Sequence, residues 1–366
     1  MTAVLASSRP ARLRVRGPRW GPPIWIGCLL LPACLGPQPQ ASGDSGSARG
    51  AGGLLYESQE ALVLWRPELD PPRALASLEG VGLDGLSWAP TLDRFAYASN
   101  REGPWRLYVG TEDGRHRRLE RSRDDFIVDV AWSPDGRYIA YQVDGFEIGA
   151  DWVMVVSPDG EERRRLTPEL GCDSYPSWSP DGRELAVAAM VAQEIQSQHD
   201  VIWVERQAEL EVIDVETGAR RRLTSLGLEV EELAWSPDGA WIAFQAAGEL
   251  FVVSPQGGAA RRLASGLAGH GVPAWSPDSQ RIVFLARALD ESGEPAQRRD
   301  DWVVLTLGAG ARRFRGAAHI WGFGWTPDGA RVYRVEGQRL LVVDPLTGDE
   351  ELLVSELDDS SASAWR

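Results

Sequence analysis

A short motif recurs along most of the chain and limits the folds that the chain can adopt. It reads Trp-Ser-Pro-Asp-Gly with small variations, and successive copies are separated by 40 to 57 residues. Self-similarity at such a period, with strand-like sequence between the copies, is typical of folds in which each repeat forms one small β-sheet. The tryptophans of the one weaker copy and the five closer copies are Trp88, Trp132, Trp178, Trp235, Trp275 and Trp325.

The unit around Trp132 shows what one repeat contains. Apolar residues alternate along Phe126–Trp132, and this alternation predicts that Phe126, Val128, Val130 and Trp132 lie on one face of a strand. The following Ser-Pro-Asp-Gly predicts a tight turn, because Pro presets φ, Asp bonds the local backbone and Gly supplies a positive φ. The rest of the unit predicts three further strands, at 138–143, 152–156 and 163–167.

The repeated Trp-Ser-Pro-Asp-Gly unit resembles the TolB-type, WD-like β-propeller repeat. The resemblance covers residues 54–366 and implies an all-β fold, a single β-propeller of four-stranded blades. It implies little about function, because propellers support many unrelated activities.

The two ends of the repeat region predict how the ring closes. The segments 54–56, 61–65 and 73–78 form three strands without a leading strand, and the C-terminal Ser361–Arg366 matches the missing one. Trp325 and Trp365 are also one normal period apart. We therefore expect a seven-bladed propeller closed by the C-terminal strand, with a six-bladed ring as the alternative.

The N-terminal 53 residues differ in composition from the repeats. Residues 1–33 carry five arginines and no acid, and they end in a short apolar stretch, which is the layout of a signal peptide. The stretch closes in Leu-Pro-Ala followed by Cys34, which resembles a bacterial lipobox and implies lipidation of Cys34. Pro32 departs from that pattern, so simple cleavage nearby is the alternative. Residues 34–53 are rich in Gly, Ser and Pro and predict a flexible tether. This layout favours a lipoprotein of the cell envelope, in the periplasm or anchored to the outer membrane.

Charge excludes several classes of function. All 38 cationic side chains are arginine, which excludes lysine Schiff-base chemistry and a P-loop. The net charge is −15, and it becomes −20 when residues 1–33 are set aside. A surface this acidic argues against nucleic acid as a partner and against membrane contact other than by a lipid anchor.

Two repeated polar features invite a functional interpretation, but structure explains them better. The turn aspartates occur once in each unit, so they cannot converge on one site. Arginine clusters fall on the last strand of each unit, where charge protects an exposed sheet edge from pairing with another chain. The clusters are Arg163–Arg165, Arg220–Arg222, Arg261–Arg262 and Arg312–Arg313.

Ligands of propellers usually bind where the loops that differ between blades gather around the channel. Here we expect long loops at Met190–Arg206 and Ala288–Asp301, and Trp203 on the same aromatic rim. Three histidines on this face could form a metal site with Glu194 or Asp200. They lack a short ligand spacing, so we expect no metal and no other cofactor. The candidate ligand-face residues are Trp105, Asp125, Asp173, Tyr175, His199, His270, His319 and Trp321.

The sequence predicts a non-catalytic envelope module that binds a protein, a peptide or a glycan on the propeller face. Gly-x-Ser-x-Gly is absent, and Ser174 has no histidine nearby in sequence. No catalytic residue is therefore assigned, and we expect a monomer. The alternative is a propeller hydrolase or lyase with a histidine and carboxylate site, with or without a metal, at the channel mouth.

Overall fold

The computed structural model describes residues 54–365 apart from several short segments. The segments outside the description are 59–60, 66–72, 78–81, 92, 120–125, 145–150, 168–173, 199–200, 269–270, 290–294, 317–319, 337–338 and 355–362. The described residues form 28 β-strands. None of them forms a helix that is long and apolar enough to cross a membrane.

The strands are short and follow one another closely along the chain. The first eleven are β1 (Leu54–Ser58), β2 (Ala61–Trp65), β3 (Arg73–Ser77), β4 (Leu83–Trp88), β5 (Arg94–Ser99), β6 (Arg106–Thr111), β7 (His116–Arg118), β8 (Phe126–Trp132), β9 (Ile139–Asp144), β10 (Trp152–Val156) and β11 (Arg163–Arg165). The next eight are β12 (Ser174–Trp178), β13 (Glu184–Gln198), β14 (Val201–Asp214), β15 (Arg220–Arg222), β16 (Val230–Trp235), β17 (Ile242–Ala246), β18 (Glu249–Val253) and β19 (Arg261–Ser265). The last nine are β20 (Ala274–Trp275), β21 (Arg281–Leu289), β22 (Pro295–Thr306), β23 (Gly310–Arg315), β24 (Ile320–Trp325), β25 (Val332–Glu336), β26 (Arg339–Val343), β27 (Glu350–Val354) and β28 (Ser363–Trp365).

The strands pair into four-stranded antiparallel sheets, which are the blades of a β-propeller. Six blades are each built from four consecutive strands, and a further four-stranded sheet has the order β28-β1-β2-β3. The innermost strands contact one another in sequence around the centre, and β28 contacts both β4 and β24. The all-β propeller of four-stranded blades that the repeat predicts is confirmed.

The chain ends meet in the sheet that contains β28. Leu54 pairs with Trp365, and Tyr56 pairs with Ser363. This pairing supplies the innermost strand that the N-terminal segment lacks. Whether the ring depends on this strand for its stability stays a prediction.

The motif tryptophans join neighbouring blades. The Nε1 of Trp178 donates a hydrogen bond to the carbonyl oxygen of Ala131 in the preceding blade, at 3.0 Å. Trp275 and Trp325 make the same bond to Ala234 and Ala274. Where the preceding blade has Ser instead of Ala, the serine Oγ accepts the backbone N–H of the tryptophan, as Ser87 does for Trp132 and Ser177 does for Trp235. The repeat thus encodes contacts between blades.

The motif turns also form as predicted. In the unit around Trp132, Ser133 Oγ donates to Asp135 Oδ1 at 2.7 Å, and the Arg137 N–H donates to the same oxygen at 3.0 Å. The backbone N–H of Tyr138 then donates to Ser133 Oγ at 2.9 Å. The turn aspartates therefore hold local backbone, and each stays in its own blade.

Arginines on the outermost strands have a role beyond edge protection. Arg117 donates to the carbonyl oxygens of Pro158 and Asp159 in the next blade, at 2.6 and 2.8 Å. Arg164 contacts the Glu216 carbonyl in the same manner, and Arg221 contacts that of Pro255. These side chains connect one blade to the turn between the third and fourth strands of the next.

Two expectations about strands and loops are wrong. The predicted loop at Met190–Arg206 is instead a long hairpin, because β13 and β14 stay paired as far as Gln198 and Val201. Most of the predicted loop at Ala288–Asp301 likewise belongs to β21 and β22. Met190–Arg206 contains several Val and Ile residues, which favour strands, and in both segments the pairing of the blade continues outward.

The predicted face of β8 is also wrong. Ile127, Val130 and Trp132 belong to one core cluster, whereas Val128 is only half-buried. The register of β8 against β9 shifts between Val128 and Ala131. This β-bulge inserts an extra residue and reverses the alternation on its N-terminal side.

Candidate functional site

A β-bulge recurs in the innermost strands, and it turns one residue of each strand out of the regular ladder. The register shifts in β4, β8, β12 and β16 all fall just before the motif tryptophan. The residue three positions before that tryptophan has a positive φ in each case. These residues are Gly85 (φ 56°), Asp129 (51°), Tyr175 (57°) and Glu232 (32°).

Three of these four positions carry side chains that a left-handed backbone disfavours. At Gly85 a side chain has no room, because an added Cβ would lie 2.3 Å from the backbone nitrogen of Val130. Asp tolerates positive φ comparatively well, but Tyr and Glu rarely adopt it. Backbone strain of this kind costs on the order of 1–3 kcal/mol per residue and concentrates at functional sites. The bulges of three successive blades therefore mark a candidate site at the centre of the ring.

Asp129 presents a carboxylate that has no hydrogen bond or ion pair among the described residues. Its backbone N–H donates to Asp84 Oδ1 at 3.2 Å, which fixes the bulge and leaves the Asp129 side chain free. Surrounding protein half-buries Asp129, and the partial removal of water raises the pKa of its carboxyl group to about 6. Asp129 is thus a partly desolvated acceptor that no cation among the described residues compensates.

Glu232 is held in place by two donors. Its Oε1 accepts the backbone N–H of Gly271 at 3.0 Å, and its Oε2 accepts Gln245 Nε2 at 2.9 Å. Desolvation raises the pKa of Glu232 to about 8, with smaller contributions in the same direction from the charges of Glu231 and Asp129. The Gly271 bond opposes this rise but does not cancel it.

Tyr175 lies in the blade between those of Asp129 and Glu232. Burial raises the pKa of its phenol, and the negative charges of Asp129 and Glu232 raise it further. Part of the side chain also packs against the core cluster that contains Leu233. The three bulge residues occupy the same position of β8, β12 and β16, and these innermost strands contact one another in that order around the centre of the ring.

Two glutamines add acceptor oxygens near these carboxylates. Gln142 and Gln245 each follow their motif tryptophan by ten residues, and they are 8% and 1% exposed. Gln245 Nε2 donates to Glu232 and to the Gly271 carbonyl, so its partners fix the amide orientation. The Oε1 atoms of both glutamines are buried and have no hydrogen-bond donor among the described residues.

We call Asp129, Tyr175 and Glu232, with Gln142 and Gln245 beside them, the acidic channel site. Carboxylates and amide oxygens give it more acceptors than donors. No arginine is among the described groups that shift the pKa of Asp129 or of Glu232. No group of three or more His, Cys, Asp or Glu in the described part of the chain could hold a metal ion. The site is therefore suited to accept hydrogen bonds from a positively charged organic group.

Of the residues that the sequence analysis proposed, Tyr175 is the one that the structure places in this site. Trp105 instead packs at the contact between blades, with its ring 5.8 Å from that of Phe126 and next to Gly82. The backbones of Trp203 and Trp321 lie in β14 and β24, respectively, and the structure does not describe their side chains. The other predicted positions also lie outside the described residues, namely Asp125, Asp173, His199, His270 and His319.

Sequence reasoning missed Asp129 and Glu232. Both occupy the position three residues before the motif tryptophan, which holds Gly, Asp, Tyr, Glu, Val and Gly in successive units while the motif itself barely changes. A variable position inside a repeated strand was a usable signal. It was hidden by the assumption of regular alternation, which put Phe126, Val128, Val130 and Trp132 on one face and gave Asp129 no role.

Comparison with known proteins gives partial similarities. No family model matches. The chain is 32% identical over 142 residues to an uncharacterized peptidase, YuxL, of Bacillus subtilis, covering 32% of this chain and 22% of that protein. It is 34% identical over 85 residues to the Tol-Pal system protein TolB of Francisella tularensis, covering 23% of this chain and 19% of that protein. The aligned segments thus span about a fifth of these relatives.

Solved structures show the same fold at low identity. TolB from Acinetobacter baumannii matches with a TM-score of 0.53 at 16% identity, covering 73% of this chain and 64% of the other. An oligogalacturonate lyase solved with manganese matches with a TM-score of 0.59 at 14% identity, covering 83% and 85%. A prolyl endopeptidase matches with a TM-score of 0.60 at 12% identity, covering 87% and 49%.

The fold defines this chain as a β-propeller. A segment of 85 residues is also similar in sequence to TolB, so the TolB-like resemblance that the repeat motif predicted is confirmed.

Proposed function

We propose that this propeller is a non-catalytic binding module of the bacterial cell envelope, and that it binds a protein or peptide partner through the acidic channel site. The observation that carries the proposal is the series of strained bulges at Asp129, Tyr175 and Glu232 in three successive blades. Strain repeated at one position of adjacent blades, with a different side chain each time, is hard to explain by packing alone.

The N-terminal segment supports the envelope location. An arginine-rich start, a short apolar stretch, Cys34 and a Gly/Ser/Pro-rich segment give the layout of a tethered lipoprotein. Similarity to a Tol-Pal system protein favours the same compartment. Palmitate labelling of cells that express the full chain or Cys34→Ala tests the anchor. Label should be lost in the variant, and persistent label contradicts lipidation at Cys34.

Cross-linking from inside the site tests the binding function. A photo-reactive phenylalanine analogue placed at Tyr175 keeps an aromatic side chain in the bulge. The matched control carries the same analogue at Leu346, which is 74% exposed and lies in a turn between the third and fourth strands of its blade. We expect irradiation of envelope-localised protein to give a discrete adduct from position 175 and none of that size from position 346. No adduct, or the same adduct from both positions, contradicts the proposal.

Hydrolase or lyase activity at the same site is the second candidate, because two carboxyl groups there have raised pKa values. Glu232 carries a proton over much of the neutral range, and Asp129 with its pKa near 6 is ionised at pH 7.5, so one could act as acid and the other as base. Turnover of an oligosaccharide or peptide panel that is lost in Glu232→Gln supports this candidate. Absence of turnover together with a cross-linked partner favours the binding module.

A further inference from the structure

We infer that the acidic channel site binds a single organic cation, an ammonium or guanidinium group of the partner, with Asp129 as its counter-ion. The inference rests on the proposed binding function and specifies the chemistry of the ligand.

The negative charge of Asp129 is not compensated by any described residue. An ionised carboxylate in a place with little water is costly unless a positive group or several donors compensate it. Asp129 has neither among the described residues, and its backbone N–H is occupied by Asp84. The strained bulge nonetheless keeps this carboxylate inside the ring, where a ligand cation would supply the compensation.

Two buried glutamine side chains supply neutral acceptor oxygens to the acidic channel site. Gln245 is 1% exposed and its Nε2 is committed to Glu232 and Gly271, so its unpartnered Oε1 can only accept. Gln142 pairs with Val128, the residue before Asp129. Its Oε1 is also buried and has no hydrogen-bond donor among the described residues. Ammonium and guanidinium groups offer three and five N–H donors and no acceptor, which matches this set.

The residues of the site favour an organic cation over a divalent metal ion. Divalent metals require several ligands around one point, and the described residues contain no group of three or more His, Cys, Asp or Glu that could hold one. Tyr175, between the blades of the two carboxylates, supplies an aromatic ring, and aromatic rings attract organic cations.

Ligand-observed NMR titration with capped amino acids tests the inference. The probes are N-acetyl amides of arginine and lysine, and the matched neutral probes are those of citrulline and Nε-acetyl-lysine. We expect at least one cationic probe to bind the full-length protein at pH 7.5 at least tenfold more tightly than its neutral counterpart. Equal binding of each pair, or no binding by any probe, overturns the inference.

Two variants connect that preference to the site. Asp129→Asn should reduce the preference for the cation at least tenfold, and it should fold, because Asn tolerates a left-handed backbone as well as Asp does. Glu161→Gln, on the exposed turn after β10, removes one negative charge elsewhere and should change nothing. An unchanged preference in folded Asp129→Asn overturns the inference.

The two proposals fail separately. If position 175 cross-links a partner but the cationic and neutral probes bind alike, the binding module stands and the cation inference is wrong. If arginine binds and depends on Asp129 but no partner is cross-linked, the ligand chemistry stands and the envelope-partner function is wrong.

Discussion

Replacing Glu232 by Gln should make the protein's stability less dependent on pH. In the folded protein the pKa of Glu232 rises from 4.5 to about 8. The folded state therefore binds this proton more tightly than the unfolded state does. Its stabilising contribution is present below pH 4.5 and is lost progressively as the pH rises through about 8.

The magnitude follows from the size of the shift. One pKa unit corresponds to about 1.4 kcal/mol, so the free energy of unfolding would fall by about 2.5 kcal/mol between pH 6 and pH 9. The Glu232 side chain is partly exposed, which lowers the expectation to about 2 kcal/mol or somewhat less. Asp129 contributes little in this window, because its pKa of about 6 places most of its effect at lower pH.

Urea unfolding followed by tryptophan fluorescence at pH 6, 7, 8 and 9 measures this fall. We expect wild type and Glu161→Gln to lose about 2 kcal/mol over the range, and Glu232→Gln to lose clearly less. Constant costs of the substitution, such as a weakened bond to Gln245, cancel in the comparison between pH values. A Glu232→Gln curve parallel to that of wild type would show that this carboxyl group is not desolvated, and it would refute the reasoning.

Three further predictions concern the architecture. Trp275→Phe should destabilise the protein by about 1–3 kcal/mol more than Trp235→Phe in urea unfolding. The reason is that Trp275 loses its hydrogen bond to the Ala234 carbonyl, whereas the buried Nε1 of Trp235 has no described acceptor to lose. Equal losses of stability in the two variants contradict this role of the indole. Deleting residues 359–366 removes the pairing of β28 with β1 and should lower the melting temperature by about 5 °C or more in calorimetry; an unchanged transition refutes closure by that strand. Replacing residues 191–207 by Asn-Gly joins the paired Met190 and Ala208 by a two-residue turn and should shift the melting temperature by only about 2 °C, because the removed ribbon has no described strand partner outside itself; a large loss shows that the ribbon supports the ring.

The repeat made the blades predictable, and the bulges made the site unpredictable. Trp132, its turn and the strands that follow could be assigned because each has a local signal with a physical cause. The extra residue before Ala131 has no such signal in a single unit. It results from packing at the centre of the ring, where Asp129 N–H meets Asp84 of the preceding blade.

Long hairpins escaped prediction for a related reason. Polar residues in Met190–Arg206 suggested a loop, but both halves also contain Val and Ile, and the second half contains Trp203, all of which favour strands. Once the blade aligns β13 with β14, pairing can continue outward at little additional cost. The tertiary fold therefore sets the strand register of this segment, whose local sequence is compatible with either a strand or a loop.

Cross-linking in the Asp129→Asn background tests the central claim most directly. The photo-reactive residue at position 175 reports contact with the partner, and Asp129 in the neighbouring blade supplies the charge that should hold it. We predict that the adduct falls at least tenfold with Asp129→Asn and is unchanged with Glu161→Gln, at equal protein levels. An adduct of the same yield in all three backgrounds would contradict a binding site built on the acidic channel.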